Sequence, residues 1–251
     1  MSQIASPQNP RLKALRRLHT KRERARSGRF VAEGEDLIAA AALAGRAPLE
    51  GYRLAGSELG DSAFHDVERE ALAGISTLGS GTRVMAIYEQ RWSEPVGPLC
   101  VYLHGVGDPG NIGTVLRSAH AFGASCVAFG PGCADPHGPK AVRASMGAIF
   151  TVTIARAPDV SALPGERVAL DAGAAETLSG PQDPAAGALT LLIGSEREGL
   201  PAELLAGSDR RARIPIAGDS LNAAMAATVA LYEMTMRSRP PGRDNDTVPA
   251  S

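Results

Sequence analysis

Leu189-Thr-Leu-Leu-Ile-Gly-Ser-Glu-Arg-Glu-Gly-Leu-Pro201 reads as an apolar run, Leu189 to Ile193, that stops at Gly194. A polar turn carrying Glu196 follows, and Gly199, Leu200 and Pro201 then open a short helix with proline near its first turn. An unbroken aliphatic run bounded by turn residues is the pattern of a strand buried on both faces of a parallel sheet. Open α/β sheets bind ligands beyond the carboxyl ends of such strands. One glycine-rich turn is a weak sign, since most strand-to-helix turns hold nothing. Its force comes from two further stretches of the same design.

Around it the chain alternates regularly. Strands are predicted at 99–103, 126–129, 150–154, 168–170, 189–193 and 213–216, with helices at 112–122, 140–147 and 221–237. Strands alternating with helices argue for a parallel sheet flanked by helices. Upstream, residues 11–26 read as one helix with Leu12, Leu15 and Leu18 as its apolar stripe. A strand at 30–32, an alanine-rich helix at 37–44 ending at Gly45, strands at 52–55, 74–78 and 84–88, and a helix within 62–72 complete a small α/β unit. Residues 91–98, with Pro95, Gly97 and Pro98, break the pattern and read as a linker. The expected division is 1–94 and 95–239, with a proline-rich polar tail at 240–251 that is expected to be disordered.

The 251 residues are 44% hydrophobic, 21% charged and only 4% aromatic, so the core must be largely aliphatic. No apolar run reaches the ~18 residues of a membrane span, and the N-terminus lacks the basic-then-apolar layout of a secretory signal. Cys100, Cys126 and Cys133 form no metal-spaced pair; a cytoplasmic protein without a metal site is expected. The net charge of −1 gives no sign of a polyanion partner, but its distribution does. Residues 1–30 hold nine Lys or Arg against the single acid Glu23. Such a run is either a solvated face or an electrostatic footprint for nucleic acid.

The second stretch runs from Leu103 to His120. A strand ends, a loop with four glycines follows, and a helix begins near Asn111, a good capping residue. Ile112, Val115, Leu116, Ala119 and Phe122 form its apolar stripe, while Thr114, Arg117 and His120 lie on another face directed to the loop end of the sheet. The glycines are not in register for a dinucleotide fingerprint. The third stretch runs from Arg213 to Glu233: a strand ends in Ala217-Gly-Asp-Ser, Asp219 or Ser220 caps a helix, and Asn222 sits in its first turn. Leu221, Met225, Val229, Tyr232 and Met236 form a stripe on that helix, suited either to packing on the sheet or to a subunit interface. Three strand-end loops thus gather Asn111, Arg117, Glu196, Ser220 and Asn222 between walls of Ile193, Ile214, Ile216 and Leu221, a pocket for a small ligand. No Ser/His/Asp set, phosphate-cradling Gly-Lys-Ser/Thr or metal spacing accompanies them.

Taken together, Asp108-Pro-Gly-Asn-Ile-Gly-Thr-Val-Leu-Arg-Ser-Ala119, Ile193-Gly-Ser-Glu-Arg-Glu-Gly-Leu200 and Ile214-Pro-Ile followed by Ser220-Leu-Asn222 resemble the motifs of the SpoU/TrmH branch of the SPOUT RNA methyltransferases. Pro139 to Phe150 is similar to that family's linking piece. Asn9-Pro-Arg-Leu-Lys13 and Phe30-Val-Ala-Glu-Gly34 resemble its L30e-like substrate-binding domain. Asp108 stands where the family often has Asn, and Ala223-Ala-Met225 where its helix is valine-rich. The resemblance implies an α/β chain: a small L30e-like domain before a parallel-sheet catalytic domain tied in a trefoil knot, an exception to the rule against threaded chains. It implies a homodimer through the catalytic domain and S-adenosyl-L-methionine bound by Ile193, Gly194, Gly199, Ile214, Ile216 and Leu221. It implies methyl transfer to a ribose 2′-hydroxyl of RNA, ribosomal in preference to transfer RNA, with Asn111, Arg117, Glu196, Ser220 and Asn222 lining the reaction site.

In that scheme Arg117 stabilises the developing alkoxide and grips a phosphate, because an arginine hardly loses its proton. Glu196 orients Arg117 or the substrate, and Ser220 and Asn222 hold the loops and the hydroxyl. Arg11, Lys13, Arg16, Arg17, Lys21 and Arg22 become an RNA grip. Two other readings stay open: a non-catalytic RNA-binding or assembly factor on the same scaffold, and a nucleotide-dependent enzyme of the doubly wound class.

Overall fold

The computed structural model describes residues 3–78, 81–178, 187–218 and 220–236. The expected tail at 240–251 and Asp219 lie outside the described residues. The N-terminal elements are α1 (Pro10–Arg17), α2 (Lys21–Ser27), β1 (Arg29–Glu33), α3 (Glu35–Leu43), β2 (Glu50–Leu54), β3 (His65–Val67), α4 (Arg69–Ala73) and β4 (Val84–Glu89). After the irregular 91–98 come β5 (Leu99–Leu103), α5 (Pro109–Ala121), β6 (Cys126–Phe129), α6 (Pro139–Ala144), β7 (Thr153–Arg156), β8 (Glu166–Leu170), β9 (Glu176–Thr177), β10 (Leu189–Ile193), α7 (Ala202–Ala206), β11 (Arg210–Arg213) and α8 (Ala223–Met236).

The first group forms a four-stranded sheet ordered β1-β4-β2-β3, and the second a seven-stranded sheet ordered β7-β6-β5-β10-β8-β11-β9. Every pairing in the larger sheet is parallel. β10 lies at its centre with all five residues buried, which is why Leu189 to Ile193 reads as an unbroken apolar run. The carboxyl ends of β5, β10 and β8 therefore lie side by side. From β10 the chain goes out to β11, beyond β8, and then returns so that α8 packs on α5 and β10. This out-and-back path is where the expected knot would be tied.

Several elements differ from expectation, each for a local reason. The basic helix is two helices: Thr20 leaves the helix and its hydroxyl accepts from the Glu23 N–H at 3.3 Å, which starts α2. Residues 62–72 are not one helix. An Asp61 side-chain turn onto the Ala63 N–H comes first, then β3 pairs with β2, and only α4 is helical. Residues 74–78 form no strand, because the Ser76 hydroxyl and the hydroxyl and N–H of Thr77 turn onto the Glu33 carboxylate. The strand expected from Phe150 starts at Thr153, since Ala148–Phe150 is a 3₁₀ turn following Gly147 at φ 92°. The strand expected over 213–216 is β11, ending at Arg213: Pro215 has no N–H for a ladder and the chain leaves the sheet there. Asp108, not Asn111, caps α5, accepting from the N–H groups of Gly110 and Asn111.

The two sheets share a core. Phe30 and Tyr88 from the smaller sheet meet Phe150, at ring-centre distances of 5.9 and 4.8 Å. The 91–98 segment is pinned to β7, where Ser93 N donates to the Ile154 carbonyl at 2.9 Å. Arg24 of α2 is 5% exposed; its Nε donates to Asp135 at 2.8 Å across the seam, while its Nη1 donates to the carbonyls of both Leu18 and His19. Among the described residues no helix is long and apolar enough to cross a membrane.

Candidate active site at the strand ends

The carboxyl ends of β8 and β10 and the segment after β11 enclose a cavity of about 340 Å³. Ile193, Gly194, Gly199, Ile214, Ile216 and Leu221 all line it, as do Glu196 and Ser220. Sequence reading missed one wall, Leu170-Asp-Ala172 at the end of β8. The strand itself is legible in the sequence, but nothing local says that its end abuts that of β10. Arg211 fixes this wall through its ion pair with Asp171, and the guanidinium holds that carboxyl below the usual carboxylate range.

Gly194 is required by contact rather than by its dihedral. A Cβ there would lie 2.1 Å from the Gly199 carbonyl carbon and 2.4 Å from Leu200 N. The turn from Ser195 to Gly199, closed by Gly199 N donating to the Ser195 carbonyl at 3.0 Å, folds directly onto the end of β10. Gly199 itself has φ 66°, which favours glycine. The cavity thus combines aliphatic walls with strand-end peptide groups and the charged residues Asp171, Glu196, Arg197 and Glu198. It suits a ligand with a flat apolar portion and hydrogen-bonding edges, as a nucleoside has.

Glu196 on the cavity wall heads a hydrogen-bonded chain of three side chains, whose other two members, Asn111 and Asn222, lie outside the lining. Asn111 Nδ2 donates to Glu196 Oε1, and Asn222 Nδ2 donates to Asn111 Oδ1 at 3.2 Å. Asn222 Oδ1 in turn accepts from Ala224 N at 2.9 Å, capping α8. Each of the three loops contributes one member, so the chain locks them together. Asp108 supports Asn111 from below: it caps α5 and pairs with Lys140 at 2.9 Å, whose ammonium holds its carboxyl below the usual range.

Arg117 does not join this cluster. It is exposed, makes no hydrogen bond or ion pair among the described residues, and does not line the cavity. Six residues separate it from Asn111, about 9 Å along the helix and roughly a third of a turn around it. The expectation that Glu196 orients Arg117 is therefore not what a single chain holds; Glu196 is engaged by Asn111. Ser220 is exposed at the cavity rim. Of the basic candidates, Arg11 pairs with Glu50 at 3.2 Å and Arg16 donates to the Gly74 carbonyl at 3.0 Å. Lys13, Arg17, Lys21 and Arg22 are exposed.

Comparison with known proteins bears on this geometry. The model of the SpoU rRNA methylase family matches residues 98–232, and that of the MRM3-like substrate-binding domain matches 9–86. A 23S rRNA guanosine 2′-O-methyltransferase of Bacillus subtilis is 28% identical over 93% of this chain and 99% of its own. The structure of an AdoMet-bound rRNA methyltransferase from Sinorhizobium meliloti is similar at a TM-score of 0.79 and 32% identity, covering 92% of this chain and 96% of that one. The SpoU methyltransferase of Streptomyces viridochromogenes in complex with AdoMet is similar at 0.80 and 27%, covering 94% and 100%. With a parallel sheet, a strand-end cavity and a family match over more than half its length, the chain belongs to the SpoU rRNA methylase family.

Proposed function

We propose that this chain transfers the methyl group of S-adenosyl-L-methionine to a ribose 2′-hydroxyl of ribosomal RNA. The observation that carries the reading is the Glu196–Asn111–Asn222 chain, which joins the rim of a glycine-floored cavity at Glu196 to the first turns of α5 and α8. When bound there, the cofactor supplies an electrophilic methyl group. Ile193, Gly194, Gly199, Ile214, Ile216 and Leu221 hold it, with Leu170 to Ala172 as the further wall.

A ribose hydroxyl is a weak nucleophile, so the protein's work is to position it and to stabilise its developing charge. The amides of Asn111 and Asn222, fixed by their mutual bond, offer oriented donors beside Glu196 of the cavity wall, which keeps the Asn111 amide in place. The Ser220 hydroxyl at the rim supplies a further hydrogen bond. Arg117 is outside the cavity, which suits a guanidinium that meets the RNA rather than the cofactor. It stabilises the alkoxide and a neighbouring phosphate, and the proton leaves to a phosphate oxygen or water.

The chain works as a homodimer in this reading. Met225, Val229 and Tyr232 present an apolar stripe on α8 that is 58%, 37% and 53% exposed, while Ala223, Ala227, Ala230 and Leu231 are buried against the rest of the chain. Phe122 of α5 meets Tyr232 at 6.1 Å, so the stripe extends towards α5. Residues 1–94 hold the RNA, 95–239 perform the chemistry, and the three free cysteines accord with work in the cytoplasm.

The test compares wild type with Arg117→Ala and Asn111→Ala, using tritiated cofactor and unmodified rRNA. Loss of one charge-stabilising group lowers turnover by about 10²–10³-fold. Cofactor affinity measured by calorimetry should change little for Arg117→Ala, which lies outside the cavity. Equal incorporation by wild type and Arg117→Ala would remove Arg117 from the mechanism.

A further inference from the structure

A second cavity, of about 450 Å³, opens at the carboxyl ends of β6 and β7, where the small sheet's helices meet the large sheet. Trp92, Phe129, Pro131 and Pro158 wall it, and Lys21 of α2 and Arg156 of β7 stand among them. Both cations are exposed and pair with no acid among the described residues. The acid of this cavity, Asp135, is already neutralised by the buried Arg24. The Arg156 guanidinium lies over the Trp92 ring at 4.2 Å, a flat cationic and aromatic stack facing an apolar slot. Flat walls with an uncompensated positive rim fit an unpaired nucleotide, base inside and phosphate at the edge.

The position argues for the same RNA that reaches the methyl-transfer site. The strand order β7-β6-β5-β10-β8 puts this cavity three strand spacings, roughly 14 Å, from the cofactor cavity at the ends of β10 and β8. That distance equals roughly four stacked nucleotides at 3.4 Å each. The loops that lie between are tied to one another. The loop after β5 is bonded to the loop after β6 through Gly105 N to the Pro131 carbonyl and Ala134 N to the Val106 carbonyl, both at 2.9 Å. The buried Arg24–Asp135 bond fixes α2 on that same loop, which delivers Lys21 to the slot.

We propose that this seam is a second RNA subsite, receiving an unpaired nucleotide near the methylated ribose, with Arg156 and Lys21 on its phosphates and its base against the Trp92–Arg156 stack. The inference rests on the RNA reading of the site. Trp92 is the only tryptophan in the chain and so reports the event directly. Adding a mixed-sequence single-stranded RNA dodecamer to the full-length protein should quench Trp92 fluorescence saturably. A blunt duplex of the same sequence should quench it weakly. Arg156→Ala and Lys21→Ala should each weaken the dodecamer several-fold and lower the log–log salt dependence by about one. The proposal is overturned if the dodecamer does not bind, if anisotropy of an end-labelled dodecamer shows binding with Trp92 unchanged, or if both variants keep wild-type affinity and salt slope. Methyl transfer to rRNA, run in parallel, separates the two readings. Transfer with a silent Trp92 and an unchanged KM in both variants removes the seam alone. Quenching without transfer removes the methyltransferase reading and leaves the seam.

Discussion

Gly194→Ala gives the sharpest test of how the cofactor cavity is built. The added Cβ would sit 2.1 Å from the Gly199 carbonyl carbon, 2.3 Å from its oxygen and 2.4 Å from Leu200 N. All three are backbone atoms, so no side chain can swing aside. Restoring ordinary contact moves the 195–199 turn by more than 1 Å, and that turn carries Glu196 and forms the cavity's rim. Forced repacking of this size costs about 1–3 kcal/mol. If the strain falls on the binding-competent conformation, S-adenosylmethionine affinity drops by roughly 5- to 150-fold. Titration calorimetry measures the affinity and thermal unfolding reports the fold. Gly113→Ala is the contrast: its Cβ would meet the Ala141 carbonyl oxygen at 2.4 Å, at the packing of α5 on α6 and away from the cavity. That variant should lose stability more than affinity. Gly194→Ala binding the cofactor within twofold of wild type would refute the account of the turn.

Three further outcomes follow from the same structure. Arg24→Ala leaves Asp135 unpaired at a buried seam and should cost about 3–5 kcal/mol of unfolding free energy, against a negligible loss for Arg22→Ala; equal denaturant midpoints would contradict this. Burial pushes His137 down from 6.5 to about 4, against Asp135, with Arg24, Arg156 and Arg46 adding in the same direction. The unfolded chain then binds the extra proton, so the stability present above pH 6.5 is lost as pH falls towards about 4, by on the order of 2–3 kcal/mol. His137→Phe, which keeps ring contact with Phe30 and Trp92, should flatten that dependence in urea melts between those pH values, and an unchanged slope would count against it. Met225→Lys with Tyr232→Glu places charges on the exposed α8 stripe and should convert a dimeric wild type to monomers in sedimentation velocity; a monomeric wild type would remove the interface.

What the sequence revealed and what it hid divide along a physical line. Leu189 to Ile193 and Cys126 to Phe129 are buried on both faces of a parallel sheet, so their order is written in local hydrophobicity. Glu196, Asn111 and Asn222 were legible because each follows a strand end, and the structure joins them in one hydrogen-bonded chain. The break at Thr20 turned on a single side-chain bond to the Glu23 N–H, too small a signal to outweigh a helical stripe. Arg24 looked like its exposed basic neighbours because its partner, Asp135, lies 111 residues away. The Leu170 to Ala172 wall and the seam at Trp92 depend on which strand ends become neighbours, a property of topology rather than of any stretch. Arg117 was assigned to the right helix, but its distance around and along that helix keeps it out of the cavity of a single chain.

The central claim is that the acceptor is a ribose hydroxyl and not a base. Unmodified rRNA incubated with the protein and methyl-labelled S-adenosylmethionine can be hydrolysed with alkali, which needs a free 2′-hydroxyl at each cleaved linkage. Methylation at one ribose predicts the label in a single alkali-resistant dinucleotide, absent with Asn111→Ala. Label released entirely in mononucleotides, or no label in rRNA at all, would contradict the account.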